Sequence, residues 1–215
     1  LRHLPSKRGT ATVNIKFDGV TFDYNAVPGA YLFTSPVMIS SGTGITIVSS
    51  TFAGDVATGV DTSADGYGTG VALKIAQSSG IVIENNSFDT WHRGALFMDT
   101  SDLKVVGNEV QNMSSDGFDF VNVDNVLIQG NYLHDFALSP ESTAHADMIQ
   151  FWTTATTSPS TNITIIDNYL DAGNGSAAQS IFMRNEVVDQ GLAGSEMFYQ
   201  NVTIANNLIV NKHAH

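Results

Sequence analysis

An all-β solenoid, a right-handed parallel β-helix of about seven rungs of about 22 residues with insertions, is the architecture this sequence predicts. Three observations carry the prediction. One nine-residue pattern recurs seven times along the 215 residues. Its apolar residues alternate with period two, which is the signature of strands rather than helices. Five consecutive copies place Asn at the same position, where stacked rungs about 4.8 Å apart allow an Asn ladder.

In chain order the copies are NIKFDGVTF, GITIVSSTF, GIVIENNSF, DLKVVGNEV, NVLIQGNYL, NITIIDNYL and NVTIANNLI. Their first apolar positions are Ile15, Ile45, Ile81, Leu103, Val126, Ile163 and Val202, spaced by 30, 36, 22, 23, 37 and 39 residues. The shortest spacings define the rung, and the longer ones carry insertions. Seven positions past each anchor the apolar pattern returns, at Phe22, Phe52, Phe88, Val110, Leu133, Leu170 and Ile209. The ladder residues are Asn86, Asn108, Asn131, Asn168 and Asn207, and Asn also tolerates the left-handed backbone of a sharp corner. A rung of this length holds about three short strands. Helical solenoids are excluded by the period, and leucine-rich repeats by the missing Leu template. The reading is one domain over residues 1–215, expected to be a segment of a longer protein whose end rungs are capped by further rungs or another chain.

Composition narrows the partners. Charged residues are 14%, against roughly 25% in ordinary globular chains, and the net charge is −12 with nine Lys plus Arg. That balance argues against a nucleic-acid surface, which needs a clustered basic footprint. No run approaches the roughly 18 apolar residues of a membrane span, and no cysteine is present for disulfide or thiolate chemistry.

A third strand precedes each anchor. The segments VALKIAQ, RGALFMD, DGFDFVN, DMIQFWT and QSIFMRN align by the inward pairs Leu73/Ile75, Ala95/Phe97, Phe118/Phe120, Ile149/Phe151 and Ile181/Met183. Alternation then turns Lys74, Leu96, Asp119, Gln150 and Phe182 outward in one row, and Ala76, Met98, Val121, Trp152 and Arg184 in the next. Arg93, Asp116, Asp147 and Gln179 sit at the corner entering the strand. His92, Ser115 and His145 lie in the preceding turns, and the insertion HDFALSPESTAHAD opens beside them.

Over nearly its whole length the chain resembles the pectate-lyase-like β-helix superfamily, whose members include lyases, epimerases, hydrolases, phage tailspikes and adhesins. In β-helix enzymes of this kind the outer face of the strand before the anchor commonly binds ligand. The resemblance implies an extracellular or virion-surface protein acting on an acidic, uronate-containing glycan by β-elimination or C5 epimerisation. Such chemistry needs a base for the C5 proton and a cation to neutralise the uronate. On this reading Asp116, Asp119, His145, Asp147 and Arg184 are the catalytic set, with His145 as base oriented by Asp147. Arg93, Gln150, Trp152 and Lys74 bind substrate.

SSDGFDF followed by HADMIQF is also similar to the acidic signature of β-helix polygalacturonases, with Asp116 and Asp147 matching two of its carboxylates. Ser115 and Ala146 depart from that signature, and no Arg-x-Lys segment follows. A non-catalytic glycan-binding or structural β-helix is the alternative. Finally, DTSADG supplies the oxygens of Asp61, Ser63 and Asp65 in half a calcium loop, but Ala72 stands where the closing Glu would be, so the stretch reads first as a solvated turn and Ca2+ is the one candidate cofactor.

Overall fold

The computed structural model describes residues 12–59, 64–143 and 145–212 and is a right-handed parallel β-helix. All seven anchors fall in one register, Ile15 on Ile45 on Ile81 on Leu103 on Val126 on Ile163 on Val202. Phe22, Phe52, Phe88, Val110, Leu133, Leu170 and Ile209 form a second continuous row in a seven-stranded sheet. The inward pairs of the third column are likewise in register from Leu73/Ile75 to Ile181/Met183. One strand the repeat did not reveal, Val37–Ser40, opens this column by pairing with Val71–Ala76.

Two columns belong to a single eleven-stranded sheet because Arg93–Val106 and Phe118–Gln129 run through the corner between them. The bend is made locally. The residue just before every anchor (Asn14, Gly44, Gly80, Asp102, Asn125, Asn162 and Asn201) has φ between 51° and 67°. Only Gly, Asn and Asp occupy this position, the residue types that tolerate a left-handed backbone at least cost.

A second left-handed row lies four past the anchor, at Gly19, Ser49, Asn85, Gly107, Gly130, Asp167 and Asn206. The ladder asparagines follow it by one residue, so the corner is turned by the neighbour and the ladder residue is left to bond along the axis. Asn86, Asn108, Asn131 and Asn168 each donate Nδ2 to the Oδ1 of the next Asn at 2.9–3.0 Å, and that same Oδ1 also accepts their backbone N–H. The second Nδ2 hydrogen reaches a backbone carbonyl such as Val105 O at 2.9 Å. Ser50 starts the row in place of Asn, accepting from Val20 N through Oγ.

Inside, aromatic rings stack rung on rung. Phe52 and Phe88 lie 4.5 Å apart and 5° from parallel, and Phe120 and Phe151 lie 4.7 Å apart. The rung spacing sets this distance, so in-register Phe residues meet face to face. Inward positions buried in the middle rungs are exposed at Ile15, Val202 and Ile209, where a described rung stacks on one side only.

Candidate active site

The outer face of the column before the anchors carries a closed cluster of three carboxylates around one guanidinium. Arg93, at the start of its strand, places Nη2 3.0 Å from Asp116 Oδ2 and Nη1 3.1 Å from Asp119 Oδ2. Asp116 enters the next rung. Its Oδ1 accepts the backbone N–H of Asp147 at 3.0 Å, and its Oδ2 accepts Ser115 Oγ at 3.2 Å. Gly117 permits this close approach, because a Cβ there would overlap the Met148 carbonyl oxygen. Asp147 then stands one rung above Asp116, with Gln179 as its partner in the following rung.

The Asp116, Asp119 and Asp147 side chains are 2%, 0% and 0% exposed. Alternation had turned Asp119 outward, and it does leave the core, but a roof covers it. Arg93 lies beneath the rings of Phe33 and Trp152, 5.3 and 5.4 Å from their centroids, so the cation is held by both π faces. Phe33 comes from the segment between two distant strands. Nothing in its neighbouring sequence marks it as a lid.

His145 is the exposed member of the group, with 57% of its side chain accessible and Nδ1 2.9 Å from Asp147 Oδ2. The contact is off the line of a good hydrogen bond, since neither Asp147 oxygen has an aligned donor. The imidazole edge packs on Phe182, ring centroids 5.3 Å apart. With Leu138, Ala146, Ala178 and Gln179, His145 walls a cleft of about 300 Å³. That volume is within the range of small-molecule sites.

Three carboxylates cannot all ionise around one cation. Burial, then the Asp116 charge, pushes Asp119 well above the usual carboxylate range against the pull of Arg93. Burial also raises Asp116. Asp147 is raised to about 7 by burial and by Asp116, with His145 opposing. In the neighbouring turn, burial and then Arg93 lower His92 to about 4, and its Nδ1 sits 3.0 Å from Ser114 Oγ.

Asp147, with its folded pKa raised from 3.8 to about 7, contributes stability that is fully present below 3.8 and is lost as pH rises through about 7. His92, lowered from 6.5 to about 4, contributes stability present above 6.5 and lost as pH falls through about 4. Asp147→Asn therefore gains on the wild type as pH rises between those limits. Urea unfolding at several pH values checks this, and a wild-type-minus-variant difference that stays flat with pH contradicts it.

Gln150 pairs in register with Asp119 and is buried, its Oε1 without a partner. Lys74 is in the same row but separated from Asp119 by Leu96. Arg184 does not join the carboxylates, for its Nε binds Asp189 Oδ2 at 3.0 Å at the exposed end of the short helix just beyond its strand. The cation at the cluster is Arg93. Asp61 and Ser63 lie outside the described residues, and Asp65 is exposed beside a single backbone bridge to Ala57. Among the described residues no group of three or more His, Cys, Asp and Glu is arranged to hold a metal ion. No helix among them is long and apolar enough to cross a membrane.

A solenoid with a polar, loop-flanked outer face defines a class of repeat protein that is polysaccharide-related or structural. The chain belongs to the right-handed β-helix region family, whose model matches residues 8–214. No curated protein and no solved structure matches it.

Proposed function

We propose that this chain is an extracellular β-helix acting on an acidic polysaccharide, with the His145 and Asp147 pair moving the C5 proton of a uronate residue. The observation that carries the reading is the exposed imidazole at a cleft wall with Nδ1 against a buried carboxylate. This is the arrangement that leaves Nε2 facing outward as the base. Asp147, 2.9 Å from Nδ1, stabilises the imidazolium electrostatically once the proton arrives. The C5 electron pair then either forms the C4–C5 double bond as the glycosidic oxygen leaves, or is reprotonated from the other face.

Net charge at the site bears on an anionic substrate. Arg93 lies within 3.1 Å of two of the carboxylates and burial raises all three, so the face carries less negative charge than three free carboxylates would. Trp152, half-buried beside them, offers an apolar surface to a sugar ring.

The test is a panel of uronate polymers, among them alginate and pectate, with wild type and His145→Ala. Unsaturated-uronate absorbance or epimerised product is expected with wild type, falling by at least about 100-fold in the variant. New reducing ends without a double bond would instead indicate hydrolysis of the polygalacturonase kind.

One observation favours a second, non-catalytic reading as a glycan-binding or structural β-helix of the tailspike or adhesin kind. Asp116 and Asp119 are paired with Arg93 beneath Phe33 and Trp152, which is also how a buried structural ion cluster is built. Glycan binding that persists in His145→Ala, with no product from any polymer, would support it.

A further inference from the structure

We infer that a cleft beside the insertion is a subsite for uncharged, hydroxyl-rich sugar residues, so that the glycan is a mixed polymer with neutral units next to the uronate at His145. The second half of this inference rests on the reading of His145 given above.

The cleft has a volume of about 490 Å³ and is walled by Tyr67, Asn112, Asp135, Leu138, Asn174 and Ser176, among others. Leu138 is shared with the cleft beside His145, and Tyr67 with a smaller one next to His92. The three therefore follow one another around the insertion of residues 135–146. Consecutive clefts with common walls suit a polymer better than a single small molecule.

Its floor is preorganised. Ser176 N donates to Phe136 O at 2.6 Å and Ala137 N to Met113 O at 2.8 Å, tying successive rungs together. Gly175 lies so close that a Cβ there would come within 2.5 Å of Phe136 N.

The wall chemistry selects the ligand. It offers an aromatic ring, two carboxamides, a hydroxyl and one carboxylate, with no Lys, Arg or His among the residues lining it. Asp135 is held ionised: its Oδ2 is 2.7 Å from His134 Nδ1, and its Oδ1 accepts Asn174 N at 2.7 Å. These bonds, His134 first, keep its carboxyl below the usual range. A fixed anion and amide groups accept and donate to sugar hydroxyls and repel a uronate carboxylate. Tyr67 supplies the apolar face for a ring.

Calorimetric titration tests this with hexasaccharides of gluco, manno, xylo and galacto configuration and with oligogalacturonate and oligomannuronate of equal length. At least one neutral series is expected to bind wild type. Tyr67→Ala is expected to weaken it at least 10-fold, with Tyr67→Phe retaining binding and thermal melts confirming that each variant is folded. Asp135→Asn is expected to raise affinity for the uronate oligomers several-fold. Binding of none of the neutral series, or equal binding by wild type and folded Tyr67→Ala, would overturn the subsite. Neutral binding that needs Tyr67 and survives His145→Ala, with no chemistry on any uronate polymer, would leave the subsite standing, overturn the reading of His145 and remove the uronate from the proposed polymer.

Discussion

Asn131→Ala is expected to lower the unfolding free energy by about 3–5 kcal/mol, one of the two largest single-residue effects in the molecule. Asn131 is buried in mid-ladder and satisfies five hydrogen-bond relations at once. Its Oδ1 accepts Asn108 N and Asn108 Nδ2, its Nδ2 donates to Val105 O and to Asn168 Oδ1, and its backbone N–H reaches Asn168 Oδ1. Removing the carboxamide leaves the Asn108 N–H and an Asn108 side-chain hydrogen buried without partners, each worth about 1–3 kcal/mol. Gln129→Ala is the control, because its Nε2 bond to Asp167 Oδ2 is exposed and its loss should stay within about 0.5 kcal/mol. Urea unfolding compares the two. Equal losses would mean that the ladder contributes no more than a surface bond.

The second large effect is at Arg93. Arg93→Ala strips the cation from Asp116 and Asp119 and removes the group stacked between Phe33 and Trp152. Breaking a buried pair by removing one partner costs about 3–5 kcal/mol, because the remaining charge is stranded. The loss should be largest at neutral pH and shrink on acidification, since protonated carboxyls no longer need a cation. Arg93→Ala combined with Asp119→Asn should recover part of the loss at neutral pH. Unfolding curves across pH decide it: a loss that does not vary with pH would mean that Arg93 acts through packing alone.

How far the residues announced this molecule differs between scaffold and site. The scaffold was legible because a solenoid repeats its physics. The anchors, the seventh-position apolar row, the inward pairs and the ladder asparagines are all local patterns, and stacking brings them into the predicted register. The left-handed corners were equally local, yet the ladder Asn was assigned a corner role that its preceding neighbour performs. Val37–Ser40 stands at the same offset from Ile45 as Leu73 from Ile81, and its Val37/Ile39 alternation is as local as that of the other inward pairs.

At the site, alternation placed Asp119, Gln150 and Trp152 on one outer face but could not say what lies over it. Phe33 is distant in sequence from Arg93 and has no periodic signature, so the burial of the carboxylates was not readable. The pairing of His145 with Asp147 was, because both lie within one short corner. Arg184 was placed in the catalytic set from its row. The short helix that follows supplies Asp189, a nearer partner, and takes it away from the face.

The central claim is that His145 moves a C5 proton on a uronate. The most direct measurement is NMR of uronate polymers incubated in deuterium oxide with wild type and with His145→Gln. The account predicts deuterium at C5, or a C4–C5 double bond, in the wild-type product and neither with the variant. Uronate polymers that bind wild type yet return with every C5 proton in place would contradict it.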